Sequence, residues 1–263
     1  MAYVKPEVIV ENMLSAGASK ATLGIKDLLI RGGLSGAFLG YATTLAITGI
    51  TQTGLGIVGA IIFPVGFVMI ILLGLELATG NFALLPIAVK DGRTTAGRLA
   101  FNWTWVLVGN LLGSVLYAFL YTAVVTKMGH IDPSNIIAAK KIIAIAEGKT
   151  LGYAKYGFDG TASAFTSAIL CNWMVTLGAV MAFTSTTTIG KIAAMWLPIM
   201  TFFALGYEHA IVNMFVIPAG IMLGANVTIA DWWIYNEIPV LLGNVTGGMV
   251  FTGFALYFTA KKK

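Results

Sequence analysis

The sequence predicts an all-α membrane protein: six transmembrane helices in two inverted three-helix repeats, the second and fifth helices broken. Three observations predict it. First, 58% of the 263 residues are hydrophobic and only 10% are charged. A soluble domain carries roughly 25% charged residues, so this chain cannot solvate a globular surface and lipid is its solvent. Second, the chain contains six long apolar runs, with a mean hydropathy of +0.87 overall. Third, two short patterns each occur twice, in the same order and at nearly the same spacing.

The elements follow in chain order. Residues 1–26 carry charges and no continuous apolar core, so they are not a secretory signal. They read as a cytoplasmic N-terminal segment with an amphipathic helix, and Lys5, Lys20 and Lys26 on a mobile helix would let it gate the cytoplasmic mouth. Residues 27–260 read as a single transmembrane domain. A crossing helix needs about 20 apolar residues, which places spans at about 28–50, 55–89, 99–126, 162–186, 190–224 and 236–260. The second and fifth are too long for one straight crossing. Each is interrupted by a polar cluster, with Pro86 and Pro218 a few residues further on. The connection 127–160 is expected to be partly helical.

The basic residues orient the spans. With the N-terminus inside, the cytoplasmic segments hold Lys5, Lys20, Lys26, Arg31, Lys90, Arg93, Arg98, Lys191 and Lys261 to Lys263, 11 positive charges. The outer segments hold Lys127, Lys140, Lys141, Lys149 and Lys155, which is 5. The excess of Lys and Arg marks the cytoplasmic side, so a multi-pass protein of the cell membrane with both termini cytoplasmic is expected. Trp103, Trp105, Trp232 and Trp233 suit interfacial anchors. The last outer connection carries Asp231 and Glu237. No basic patch interleaves with aromatics, so no nucleic-acid partner is expected. Cys171 is the single cysteine, and no metal-ligand or cofactor-binding spacing surrounds it.

The repeated patterns are G-x-E-x-x-x-x-N, at Gly74–Asn81 and Gly206–Asn213, and G-N-x-x-G, at Gly109–Gly113 and Gly243–Gly247. Their offsets are 132 and 134 residues. Two patterns in order at a shared offset define an internal duplication. Repeat one covers about 27–126 and repeat two about 161–260. With three spans each, the second half enters the membrane from the opposite side. Broken helices at membrane depth survive where they are buried in protein or line a cavity, so the breaks mark the substrate path.

The residues at the breaks carry the chemistry. Glu76 and Glu208 occur in both repeats and read as anchors that accept hydrogen bonds from free backbone N–H groups where a helix restarts. Asn81 and Asn213 tie further loose polar groups. His209 is different, because its repeat partner is Leu77. An imidazole, with an unperturbed pKa of about 6.5, can hold or protonate a small anion. A weak-acid anion could then cross an apolar constriction as the neutral acid. Thr79 can bring a hydroxyl to His209 if the two breaks meet, and Asn172 can reach the same place. Phe63, Phe67 and Phe202 are equally readable as hydrophobic gates or as plain packing.

The segments "LGLELATGN" (73–81), "VGNLLG" (108–113), "CNWMVTLGAV" (171–180), "GYEHAIVNMFVIP" (206–218) and "LLGNVTGG" (241–248) together resemble the formate/nitrite transporter family of small-anion channels. The resemblance covers nearly the whole chain. It implies an aquaporin-like protomer, assembled as a homopentamer with a pore in each protomer. It implies that the break in the second helix is a mobile loop including Leu77 and Thr79, and that His209 is a central histidine with Thr79 and Asn172 beside it. Phe63, Phe67, Leu77, Val175 and Phe202 would match two apolar constrictions. For the family's outer-vestibule lysine, an ungapped count reaches Tyr156, with Lys155 adjacent, whereas an insertion in the loop would select Lys149. The implied partners are protons, the lipid bilayer and a small anion, formate first, with nitrite, hydrosulfide and lactate as alternatives.

Other classes fit less well. An aquaporin-type water or glycerol channel would need N-P-A at both breaks, where this chain reads "NFA" (81–83) and "NMF" (213–215). An intramembrane hydrolase would need a zinc or nucleophile motif. Glu208 and His209 are adjacent rather than in H-E-x-x-H, and the only other histidine is His130. A channel and a proton-coupled carrier would use the same residues.

Overall fold

The structure is a computed structural model that describes residues 3–260; Lys261 to Lys263, counted above among the cytoplasmic charges, lie outside them. The described chain is helical. Its one extended pairing is an isolated antiparallel bridge between Tyr3 and Ser185.

Helix α1 (Pro6–Ala21) has proline in its first turn, Glu7 near its start and Lys20 near its end, each suited to its end of the helix dipole. Helix α2 (Ile25–Thr53) has 29 residues and ends on Gly54 in the left-handed region, φ +73°. At roughly 1.5 Å per residue it is about 43 Å long, enough to cross a bilayer with tilt. Short helices α3 (Gly56–Ile62) and α4 (Pro64–Leu72) follow, then α5 (Ala78–Lys90) and α6 (Ala96–Val125). The connection after α6 holds a 3-10 turn at Pro133–Asn135, α7 (Ile137–Lys149) and α8 (Leu151–Ala154). Helix α9 (Gly157–Met181) runs into a 3-10 turn; α10 (Thr188–Ala204) and α11 (Ala210–Met222) come next. The last helix, α12 (Ile229–Thr259), is continuous but contains π-helical stretches at Trp233–Glu237 and Gly247–Phe254.

Four helices, α2, α6, α9 (extended to Thr184) and α12, are each long and apolar enough to cross a membrane. The other two apolar stretches are divided: helix stops at Leu72 and restarts at Ala78, and stops at Ala204 and restarts at Ala210. Pro86 and Pro218 lie inside α5 and α11. The chain turns at Gly74 (φ +63°) and Gly206 (φ +69°), the first residues of the repeated patterns, in a backbone region that glycine enters without steric cost. The sixth apolar span starts at Ile229, seven residues before the expected position, because Thr228 and Asp231 form a capping box there. Glu237, read from the sequence as a charge of the outer connection, is therefore inside the helix and fully buried. Trp232 is also buried rather than interfacial.

Helices α5 and α11 form the centre. Every residue from 78 to 88 and from 210 to 220 is buried. The long helices close around them through small residues. A Cβ on Gly113 of α6 would run into the Gly33 backbone of α2, and one on Gly247 of α12 into the Ile169 carbonyl of α9. The two glycines of each G-N-x-x-G pattern thus let two long helices cross at backbone contact, which holds the asparagine between them at a fixed depth. Helix α1 is docked on α5, with Ile9, Val10, Met13 and Leu14 packed on Leu84, Ile87 and Val180. Arg93 clamps it through a two-pronged ion pair to Glu11, 2.7 Å on each arm.

Candidate functional site

At each break the backbone runs without helical hydrogen bonds, and buried polar backbone must find partners. Asparagines of the crossing helices supply them. Asn110 Oδ1 accepts the Ala78 N–H at 3.0 Å, and its Nδ2 donates to the carbonyls of Glu76 and Gly32 at 3.0 and 2.8 Å. Asn244 Oδ1 accepts the Ala210 N–H at 2.9 Å, and its Nδ2 donates to the carbonyls of Glu208 and Ala168 at 3.0 and 2.8 Å. The restart N–H groups are thus taken by asparagine amides rather than by Glu76 and Glu208.

The two glutamates sit one layer further out. Lys20 Nζ meets Glu76 Oε1 at 2.7 Å, and Asn81 Nδ2 donates to Glu76 Oε2 at 2.8 Å. Asn81 also donates to Asn102 Oδ1 at 2.9 Å, and Asn102 returns to the Lys20 carbonyl at 3.0 Å. The break before α11, on the side that the charge bias of the sequence assigns to the exterior, has the same circuit. Lys149 Nζ meets Glu208 Oε2 at 2.8 Å, and Asn213 donates to Glu208 Oε2 at 2.7 Å. Asn213 also donates to Asn236 Oδ1 at 2.8 Å, and Asn236 returns to the Lys149 carbonyl at 2.9 Å. Both carboxylates are almost wholly buried, 2% and 3% exposed, and each has its cation. The outer set has additions. Asn236 reaches Glu208 Oε2 at 3.2 Å, Tyr153 donates to Glu208 Oε1 at 3.0 Å, and Ser167 Oγ accepts the Glu208 N–H at 3.2 Å. Burial, then the neighbouring carboxylate, pushes the Tyr153 phenol up, so it remains an O–H donor.

The N-termini of α5 and α11 meet between these circuits. Thr79, in the first turn of α5, and His209, the residue that caps α11, touch through Oγ1 and Nε2 at 3.1 Å. His209 Nδ1 accepts the Val212 N–H at 3.2 Å. A nitrogen that accepts has no proton, so the neutral ring carries its proton on Nε2 and donates it to Thr79. Leu77 holds the equivalent capping position of α5 and makes no side-chain cap. Asn172 donates to the carbonyls of Thr79 and Asn244 at 3.1 and 2.6 Å, bracing both breaks, and does not bond the His209 ring.

Aromatic side chains cover the junction. The Phe202 ring stacks on His209, centroids 5.6 Å apart, and Phe63 meets Phe202 edge-on at 5.7 Å. Phe67, Leu77 and Val175 belong to the same buried core, all at most 3% exposed. On the Lys20 side, a cavity of about 290 Å³ is lined by Lys20, Lys191, Leu75 and Ala179, among others. The two lysines proposed for the outer vestibule part company. Lys149 reaches the break, whereas Lys155 is exposed and lies over the Tyr156 ring at 4.7 Å.

Asn102, Asn236, Lys20 and Tyr153 were not singled out as site residues from the sequence. Three of them had a readable signal: Asn102 and Asn236 are 134 residues apart, and Lys20 lies 129 before Lys149, both close to the offset of the repeated patterns. Tyr153 has no such signal.

Comparison with known proteins supports one assignment. The family described as formate/nitrite transporter matches residues 7–258. The chain is 37% identical to the uncharacterized transporter YrhG of Bacillus subtilis, over 100% of this chain and 96% of that one. It is 35% identical to the formate channel BtFdhC of Bacillus thuringiensis, over 100% and 98% of the two chains. Its fold is similar to a solved pentameric formate channel with formate bound, with a TM-score of 0.70 and 26% identity, covering 89% of this chain and 96% of that one. The chain belongs to the formate/nitrite transporter family.

Proposed function

We propose that the chain passes small monovalent weak-acid anions, formate above all, along a path through the junction of α5 and α11. The observation that carries this reading is the Thr79–His209 contact between two helix N-termini. The positive ends of two helix dipoles and two polar hydrogens converge there on one buried point, a setting that favours an anion. The lysine-flanked cavity on the Lys20 side suits anion entry, and the Phe202, Phe63, Phe67, Leu77 and Val175 side chains suit an apolar constriction that favours the neutral acid. In this reading α3–α4 with α5, and α10 with α11, are the broken second and fifth of six crossings. The matching Lys–Glu–Asn–Asn circuits then relate two inverted repeats in an aquaporin-like protomer of a homopentamer in the cell membrane. Both termini are cytoplasmic, and the role is transport rather than catalysis.

His209 acts in two states. The neutral ring donates Nε2–H to the anion or to Thr79. Giving up a proton requires a second ring proton on Nδ1, which releases the Val212 N–H, so charging the ring opens the first turn of α11. The anion leaves the junction as the neutral acid and returns the proton beyond it. The test is flux of formate, nitrite, hydrosulfide and lactate into liposomes between pH 5 and 8, with His209→Asn alongside. Asparagine keeps a helix cap and cannot titrate. Formate leading, with pH dependence lost in the variant, supports the reading. Unchanged pH dependence in His209→Asn removes the histidine from it, and saturating flux would mark a carrier.

A further inference from the structure

Glu237 has no place in either circuit. It is 0% exposed within α12, at the end of the π-helical stretch Trp233–Glu237. Its Oε2 accepts the Trp232 Nε1–H at 2.9 Å, and its Oε1 has no hydrogen-bond partner among the described residues. No cation pairs with it among the described residues, and Lys149, which reaches the neighbouring break, is held by Glu208 at 2.8 Å. Its own helix brings Asp231, consumed by the Thr228 cap, and Tyr235. Helix α8 brings Tyr153, bonded to Glu208. Helix α9 brings exposed Asp159 and buried Cys171, and α11 brings none. The link before α11 brings Glu208, whose Oε2 is bonded by Asn236, the residue before Glu237.

A carboxylate buried with one N–H donor, no cation and another carboxylate nearby is costly by several kcal/mol, and such a group keeps its proton instead. Glu208, with a lysine, a tyrosine and two amides on its oxygens, is the ionised member. Two carboxyls whose surroundings separate them in this way form an acid and base pair.

We propose that Glu237 is a proton-storing site on the outer side of the junction, which feeds Glu208 and, through it, the permeating anion. This rests on the weak-acid transport reading above. An incoming anion that draws Lys149 away strips Glu208 of its cation. The Glu237 Oε1–H bond then breaks and the proton passes to Glu208, whose Oε2 has lost its lysine and keeps the Asn213 and Asn236 amides. Glu237 is left as a carboxylate on the Trp232 N–H until water from the outer side reprotonates it.

The test uses the full-length protein in liposomes. Infrared spectra at pH 7 should contain the carbonyl stretch of a protonated carboxylic acid that Glu237→Gln removes and Trp232→Phe shifts, the second variant retaining the glutamate should the first fold poorly. Formate uptake should then show a ratio of flux at pH 8 to flux at pH 5 that falls by about tenfold in Glu237→Gln, the lower end of what a positioned acid contributes. A purely structural effect would scale both rates and leave the ratio alone. Absence of the band, or a band indifferent to both variants, overturns the protonated site; a band with an unchanged ratio overturns the feed to Glu208. If the unaltered protein carried no formate at any pH, the transport reading would fail while the infrared result still decided the protonation of Glu237.

Discussion

The inner break around Glu76 and the outer break around Glu208 are built from the same parts and differ in what is added. Each has a lysine on a buried glutamate, an asparagine that ties the glutamate to a neighbouring helix, and a second asparagine that caps the restarting helix. The inner set stops there. The outer set has Tyr153 and Asn236 on the carboxylate, Glu237 nearby, and a capping histidine where the inner break has Leu77. What holds broken backbone inside a bundle occurs twice. What can carry a proton, the imidazole and the spare carboxyl, occurs once, on the outer half. Structural need is symmetric because both breaks expose the same backbone groups, whereas under the proposed transport one protonation site suffices for one path.

The largest expected effect tests the shared part. Asn110→Leu and Asn244→Leu each remove three buried hydrogen bonds and strand one N–H and two carbonyls. At about 1 kcal/mol for each bond, plus the desolvation of the stranded groups, each should cost ~4 kcal/mol or more. Both variants should unfold in detergent at a temperature lowered by roughly 10 °C. Equal losses would mark the two breaks as equivalent scaffolds; a loss confined to one would end the comparison.

Removing the cations separates the two regions. Lys20→Met leaves Glu76 buried with Asn81 as its side-chain donor, and breaking a buried pair in this way costs about 3 kcal/mol. Lys149→Met leaves Glu208 with Tyr153, Asn213 and Asn236, so it should cost roughly half as much. Tyr153→Phe combined with Lys149→Met should bring the outer loss up to the inner one. Thermal unfolding of the four proteins, unaltered chain included, is the measurement. Equal losses in the two single lysine variants would mean that the added donors do not support Glu208.

Much of this arrangement was legible in the sequence, and the limits have physical causes. Composition and apolar runs indicate a helical membrane protein because lipid leaves few alternatives for the backbone. The paired patterns located both breaks and both capping asparagines. The glycine turns at 74 and 206 stand in those patterns as their first residues. Lys20 and Lys149 were harder. One lay in a segment read as a mobile gate and the other in a connection expected to be only partly helical, and only docking of α1 and α7 brings either to its glutamate. Thr79 and His209 were both named, but their contact spans 130 residues and depends on how two helices seat. Glu237 was misread because a capping box at Thr228 and Asp231 starts α12 earlier than expected and carries the helix past an acidic residue that normally ends an apolar span.

The smallest expected effect on stability bears most directly on what differs. His209→Leu copies the inner break onto the outer one. It removes the Val212 cap and the Thr79 contact, for which about 1–2 kcal/mol is expected. His209→Asn keeps a capping oxygen and should lose a few tenths. The reciprocal change, Leu77→His, gives the inner break a ring that can cap Gly80 or Asn81 and face the same junction. If the histidine matters only as a cap, flux should track stability: His209→Asn close to the unaltered chain, His209→Leu lower, and Leu77→His without effect on pH dependence. If the ring proton matters, His209→Asn and His209→Leu should lose pH-dependent flux alike despite their different stabilities. In that case His209→Leu combined with Leu77→His should recover part of it, because the junction lies between both capping positions. Parallel measurement of unfolding temperature and formate flux on these four variants separates the two roles, since the asparagine variant has one property without the other.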